Sequence, residues 1–248
     1  MATFVLVHAA WGGGWEWGRV RRSLAAQAHQ VFTPTLTGLG ERAHLASPDV
    51  GLSTHIDDVV AVLESEDLRE VVLTGHSSSG MVITGAMDRA PERISHGVYI
   101  DAVVPRDGQS LADLVPPTAV DELVREPGAR QGDGWLVPVP FGPDELDMSD
   151  EDAAWYLAHV VPTPLKVFEE PITLTGRWAS VPAFTYVHCT KPSTYLPKDG
   201  EGSEGFVARF ARQAHRDGWN YREIEAGHDP HITAPELLAA VLDEIAKG

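Results

Sequence analysis

The sequence predicts an α/β protein: one mostly parallel six-stranded sheet with helices on both faces, in a single domain spanning residues 1–248. Three observations predict it. Short apolar runs rich in β-branched residues alternate with segments of helical period, which is the pattern of buried parallel strands joined by crossover helices. The alternation runs as one series, with neither an internal repeat nor a low-complexity tract. A chain of 248 residues with 43% hydrophobic content can also bury a sizeable core without covalent staples.

The strand-like runs are Thr3–His8, Val31–Thr35, Glu70–Gly75, His96–Ala102 and Ala183–Cys189, with a weaker one at Trp219–Ile224. Helical patterns occupy Trp17–Ala28, Thr54–Glu64, Ser79–Asp88, Gly205–Arg216 and Pro235–Lys247. One segment breaks the series. From about Pro105 to Pro182 the chain is rich in Pro, Gly and acidic residues, with short helical stretches such as Ser149–His159. So long an insertion between the fourth and fifth strands is too long for a plain loop and is expected to form a small helical cap over the sheet edge. Trp135, Trp155, Tyr156, Phe168 and Trp178 favour packing over disorder there.

Composition excludes several partners. A formal net charge of −17 disfavours phosphate backbones and anionic membranes, so neither nucleic acid nor membrane is expected. Phe4–Val7 is too short for a signal or membrane segment, and no basic region precedes it. The lone Cys189 allows no intramolecular disulfide and reads as a small buried hydrophobe. The expectation is a soluble cytoplasmic protein, with a homodimeric state left open.

Three motifs carry chemistry. In Val71-Val72-Leu73-Thr74-Gly75-His76-Ser77-Ser78-Ser79-Gly80-Met81 an apolar strand runs through small residues into a helix. A nucleophile on a sharp strand-to-helix turn needs small neighbours, and the helix N-terminus favours developing anions. Ser77 is the expected nucleophile. Ser79 stands where the Gly-x-Ser-x-Gly pattern has its second glycine, and the plainer reading is a junction capped by Ser79. After the last strand, Gly227-His228-Asp229-Pro230-His231 offers His228 as general base, downstream of the serine. Its plainer reading is a loop histidine. A metal site in His228-Asp229-Pro230-His231 lacks a supporting Cys or Glu cluster and is not expected. After the first strand, His8-Ala9-Ala10-Trp11-Gly12-Gly13-Gly14-Trp15 can turn backbone amides into a site, and the amides of Ala10 and Ser78 are the expected oxyanion donors. The glycines do not make a phosphate loop, because no Gly-Lys-Ser/Thr follows.

These pieces, with Leu36–Leu45 and Tyr99–Pro105, resemble the α/β-hydrolases related to plant methylesterases and hydroxynitrile lyases and their bacterial esterase relatives. The resemblance covers nearly the whole chain. It implies an α/β-hydrolase fold, Ser77 and His228 as catalytic residues, no cofactor, and a small ester held under a helical cap. Two departures matter. Ala9 and Asp229 stand where the lyases carry Thr and Lys, so cyanohydrin cleavage is not expected. Pro192, in Cys189-Thr190-Lys191-Pro192-Ser193-Thr194, stands where the family places its acid. The carboxylate is therefore expected from Asp101, at the end of the preceding strand, with Asp199, Glu201 or a Ser–His dyad as alternatives.

Trp11, Trp15, Trp155 and Trp178 could line an apolar pocket, and Trp11, Trp155 and Trp178 are expected to contact substrate, though any of them could equally be ordinary core. A hydrophobic or aromatic ester or lactone is the expected small-molecule substrate. A tailoring enzyme of cyclase or lyase type, or a non-catalytic ligand-binding module on the same fold, are the alternatives.

Overall fold

The computed structural model describes residues 1–193, 195–198 and 205–248. Among these residues eight strands form: β1 (Thr3–Val7), β2 (Gln30–Phe32), β3 (Val71–His76), β4 (Ile94–Ile100), β5 (Leu136–Val137), β6 (Thr163–Pro164), β7 (Ala183–Cys189) and β8 (Asn220–Ile224). Six of them make one sheet in the order β2-β1-β3-β4-β7-β8, with every neighbouring pair parallel. β5 and β6 pair antiparallel on their own.

Side-chain alternation explains why both faces are covered. In β1, Phe4 and Leu6 enter one hydrophobic cluster and Val5 and Val7 the other, all fully buried. The first cluster is completed by α1 (Gly18–Ala26) and, at the chain end, Leu238, Leu242 and Ile245. The second takes Ile56, Val59 and Leu63 from α2 (Leu52–Ser65) and Met81 to Met87 from α3 (Gly80–Arg89). Burying each such aliphatic side chain contributes about 1.5–3 kcal/mol.

Between β4 and β7 the chain forms short helices rather than loop: α4 (Leu111–Leu114), α5 (Pro117–Val120), α6 (Glu126–Gln131), α7 (Asp150–Leu157) and α8 (Lys166–Glu169). The sheet resumes with α9 (Ala208–Arg216) between β7 and β8, then α10 (Pro230–Thr233) and α11 (Pro235–Lys247). Among the described residues, no helix is long and apolar enough to cross a membrane.

The second strand ends at Phe32, short of the expected Thr35. Beyond it the chain leaves the sheet to brace the loop after β1: Gly14 N–H donates to Thr35 Oγ1 at 2.9 Å and Leu36 N–H to His8 Nε2 at 3.0 Å. Strand order places the site. From β1 the chain steps outward to β2, then returns past β1 to β3 and continues the other way. The crevice at the C-terminal ends of β1 and β3 is thus a switch point, where open parallel sheets receive ligands.

Candidate active site

β3 is buried along its whole length and delivers Ser77 directly from its last residue, His76. Ser77 adopts φ +54°, a left-handed conformation unfavourable to a side chain. The strain is held from both sides. Ser77 C=O accepts from Val103 N at 3.1 Å, and a Cβ on Gly80 would lie 1.9 Å from Val103 O, so only glycine permits this approach. Ser79, in place of the usual second glycine, has its Oγ within donating reach of Val7 O (2.9 Å) and His76 O (2.8 Å), stitching β1 to the turn.

Two further non-glycine residues with positive φ stand on the same edge: Trp11 (φ 65°) and Asp101 (φ 43°). Asp101 follows β4, and its N–H donates to Val187 O at 2.8 Å. Its Oδ2 accepts from His228 Nδ1 at 2.7 Å, while Oδ1 lies 3.4 Å from His188 Nδ1. On the other side of the ring, Ser77 Oγ donates to His228 Nε2 at 2.9 Å. The structure therefore brings Ser77, His228 and Asp101 into one hydrogen-bonded line. His76 fixes the loop that carries His228, donating from Nε2 to the His228 carbonyl at 2.7 Å.

Electrostatics follow from burial and pairing. Burial alone would lower the His228 pKa, but the Asp101 carboxylate, through its hydrogen bond and charge, raises it above the usual histidine value. Burial would raise that of Asp101, and hydrogen bonds from His188 and His228 lower it instead. His8 is pushed down to about 3 by burial, so it stays neutral, donating from Nδ1 to Ala9 O and accepting at Nε2 from Leu36. The Cys189 thiol, free and buried, is pushed up by burial, which disfavours its thiolate.

The loop after β1 meets the insertion here. Trp11 N–H donates to Thr163 Oγ1 at 2.8 Å and its indole Nε1 to Val137 O at 3.1 Å, tying the loop to the β5–β6 pair. Ala10 N–H does not face open space: it donates to Ser78 Oγ at 2.9 Å. Above Ser77 lies a cavity with apolar walls, among them Trp11, Leu123, Val124, Phe141, Phe168 and Phe206. Its polar lining includes Ser77, Ser78, His228, Glu16, Tyr156 and Asp229, and no Lys or Arg is among its described lining residues.

Of the three tryptophans expected at substrate, Trp11 alone lines this cavity. Two corrections follow. Trp155 turns away to stack edge-on against Trp15 at 5.0 Å and under Arg19, in a satellite cluster around Leu146 and Ile232. Trp178 packs against Phe184 at 5.6 Å while its N–H donates to Asp88. Both pack against other aromatic rings, which composition cannot distinguish from pocket lining. Asp199 and Glu201, the alternative acids, lie outside the described residues, as does Thr194.

Glu16 is a site residue that sequence reasoning missed. It is an isolated acid between Trp15 and Trp17, 2% exposed, 3.6 Å from His231 Nε2. Burial raises its pKa. His76, Asp229 and His231 offer ligand atoms within 4.8 Å of one another, the one such metal-capable group among the described residues. Two of the three have other work: His76 Nε2 holds the His228 carbonyl and Asp229 accepts from the Tyr195 hydroxyl.

Residues 4–241 match the alpha/beta hydrolase family, and the chain belongs to it. It is 35% identical over 249 residues to a carbendazim hydrolyzing esterase of Nocardioides sp. (strain SG-4G), covering 98% of each chain. It is 30% identical to methylesterase 3 of Arabidopsis thaliana, over 98% of this chain and 95% of that one. Among solved structures, an extracellular alpha/beta-hydrolase from a Paenibacillus species superposes with a TM-score of 0.85 at 26% identity, covering 98% of each chain.

Proposed function

We propose that this chain is a serine carboxylic ester hydrolase in which Ser77, His228 and Asp101 act as a catalytic triad. The observation that carries the reading is the His228 ring bridging Ser77 Oγ at 2.9 Å and Asp101 Oδ2 at 2.7 Å. The esterase relatives support ester cleavage as the reaction.

Ser77 Oγ attacks the ester carbonyl while its proton passes to His228 Nε2. Asp101 holds the ring with Nδ1 protonated and stabilises the imidazolium that forms. The tetrahedral oxyanion is received at the helix N-terminus by the Ser78 amide, the other expected donor, Ala10 N–H, being engaged by Ser78 Oγ. His228 returns the proton to the leaving alcohol, then activates water to release the acid from Ser77. The apolar walls favour a small hydrophobic or aromatic ester or lactone, with Trp11 against its flank and the insertion over residues 105–182 acting as the cap. A cytoplasmic setting, in keeping with one unpaired cysteine, belongs to the same proposal and is tested by cell fractionation.

Turnover of aryl and alkyl ester panels by the wild type and by Ser77→Ala tests the reading. Saturable hydrolysis lost in the variant is expected. Labelling of Ser77 by a fluorophosphonate without turnover of any ester would point to a tailoring reaction. Neither labelling nor turnover by folded protein would leave a ligand-binding module.

A further inference from the structure

The three consecutive serines of the elbow have three different fates. Ser77 Oγ donates to His228. Ser79 Oγ is committed to the backbone carbonyls of Val7 and His76. Ser78 lines the cavity beside the proposed nucleophile, and its Oγ accepts from Ala10 N–H at 2.9 Å with no acceptor for its own proton among the described residues. The Ala10 amide, one of the two backbone donors assigned to the oxyanion, therefore points at this hydroxyl rather than at the space a substrate oxygen would enter.

We propose that the Ser78 side-chain hydroxyl is itself a catalytic residue, donating the hydrogen bond through which Ala10 reaches the oxyanion. The proposal rests on the serine-esterase reading above. As Ser77 Oγ bonds to the carbonyl carbon, the C=O π pair moves onto oxygen and the Ser77 proton goes to His228. Ser78 keeps its proton and only hydrogen-bonds the new charge. A hydroxyl accepting from an amide is polarised into a better donor, and a bond to an ionised oxygen is among the strong ones. The relay is preorganised: the acceptor side of Ser78 is already satisfied by Ala10, so the hydroxyl proton is the group left to aim into the cavity. A direct backbone amide would serve equally well only if Ser78 swung aside, breaking its partly buried bond to Ala10.

Ser78→Ala and Ser78→Thr separate these cases. Removing one oxyanion donor costs about 10²–10³ in kcat, and the freed Ala10 amide offsets part of that, so kcat for Ser78→Ala is expected to fall about 10–100-fold with KM changed less than threefold. A trifluoromethyl ketone, whose Ser77 adduct carries the oxyanion, should lose affinity in parallel with kcat, while a ground-state ketone of the same shape should not. Ser78→Thr keeps the hydroxyl and should recover most of the rate. Equal or faster turnover by Ser78→Ala, or loss of both inhibitors together, would overturn the proposal. Fluorophosphonate labelling of wild-type Ser77 is run alongside: without it the esterase reading fails, whereas labelling with an undiminished Ser78→Ala rate sinks only the relay.

Discussion

The sheet edge and the insertion above it are built by opposite rules. At the edge, the loop ends after β1, β3 and β4 each carry a strained residue, Trp11, Ser77 and Asp101, and the polar groups of the line from Asp101 to Ser77 are hydrogen-bonded to one another. The insertion is short helices and a two-residue strand pair, presenting Leu123, Val124, Phe141 and Phe168 to the cavity. Strain and directed hydrogen bonds fix where a reaction can occur. An apolar wall fixes only what fits. Changes at the edge should therefore act on kcat, and changes in the insertion on KM and substrate choice.

The sharpest break in that contrast comes from the proposed nucleophile. Ser77→Ala should lower kcat on the order of a millionfold with the fold intact by circular dichroism. Asp101→Asn comes next: kcat should fall about 10³–10⁴-fold, because the ring loses its tautomer control. The same variant sharpens the electrostatic claim. His228 must be neutral at Nε2 to act, and Asp101 raises its pKa above the histidine value, so the acid limb of the wild-type kcat/KM profile should lie above pH 6.5 and move to lower pH in Asp101→Asn. An unmoved limb would assign it to another group.

Gly80→Ala should destabilise the protein by about 1–3 kcal/mol in denaturant unfolding, since the new methyl meets Val103 O. In the insertion, Phe168→Ala should raise KM for bulky aryl esters about tenfold while kcat for a methyl ester holds, a loss in line with about 1–3 kcal/mol for a hydrophobic pocket contact. A kcat loss for every ester instead would erase the division of labour. The smallest effect concerns Glu16. Burial raises its folded pKa above the unfolded value, so its contribution to stability is complete below the unfolded pKa and is lost as pH rises through the folded one. The urea midpoint of Glu16→Gln should therefore match that of the wild type at about pH 4 and exceed it at about pH 8.

Much of the edge was legible in the sequence because its parts are local. An apolar strand, small residues and a helix announce Ser77, and a histidine between the last strand and the last helix lands on the same edge. The carboxylate was harder to read, because Asp101 and His228 are 127 residues apart and their meeting depends on β4 and β8 flanking β7 in the sheet. The amide of Ala10 was legible as a donor but not its engagement by Ser78, which is a matter of one rotamer. Trp155 and Trp178 show the limit of composition: aromatic residues pack on one another as readily as on ligands. Glu16 gave no signal, since it is buried against Gly12 of the loop after β1 and His231 of α10, which are far apart in the chain.

The rate at which a fluorophosphonate modifies Ser77, followed by intact mass in the wild type, His228→Ala and Asp101→Asn, tests the proposed triad most directly. Rapid single-site modification of the wild type, slowed at least about a hundredfold in His228→Ala and to a lesser degree in Asp101→Asn, is the predicted result. Equal rates in all three proteins, or modification at a residue other than Ser77, would contradict it.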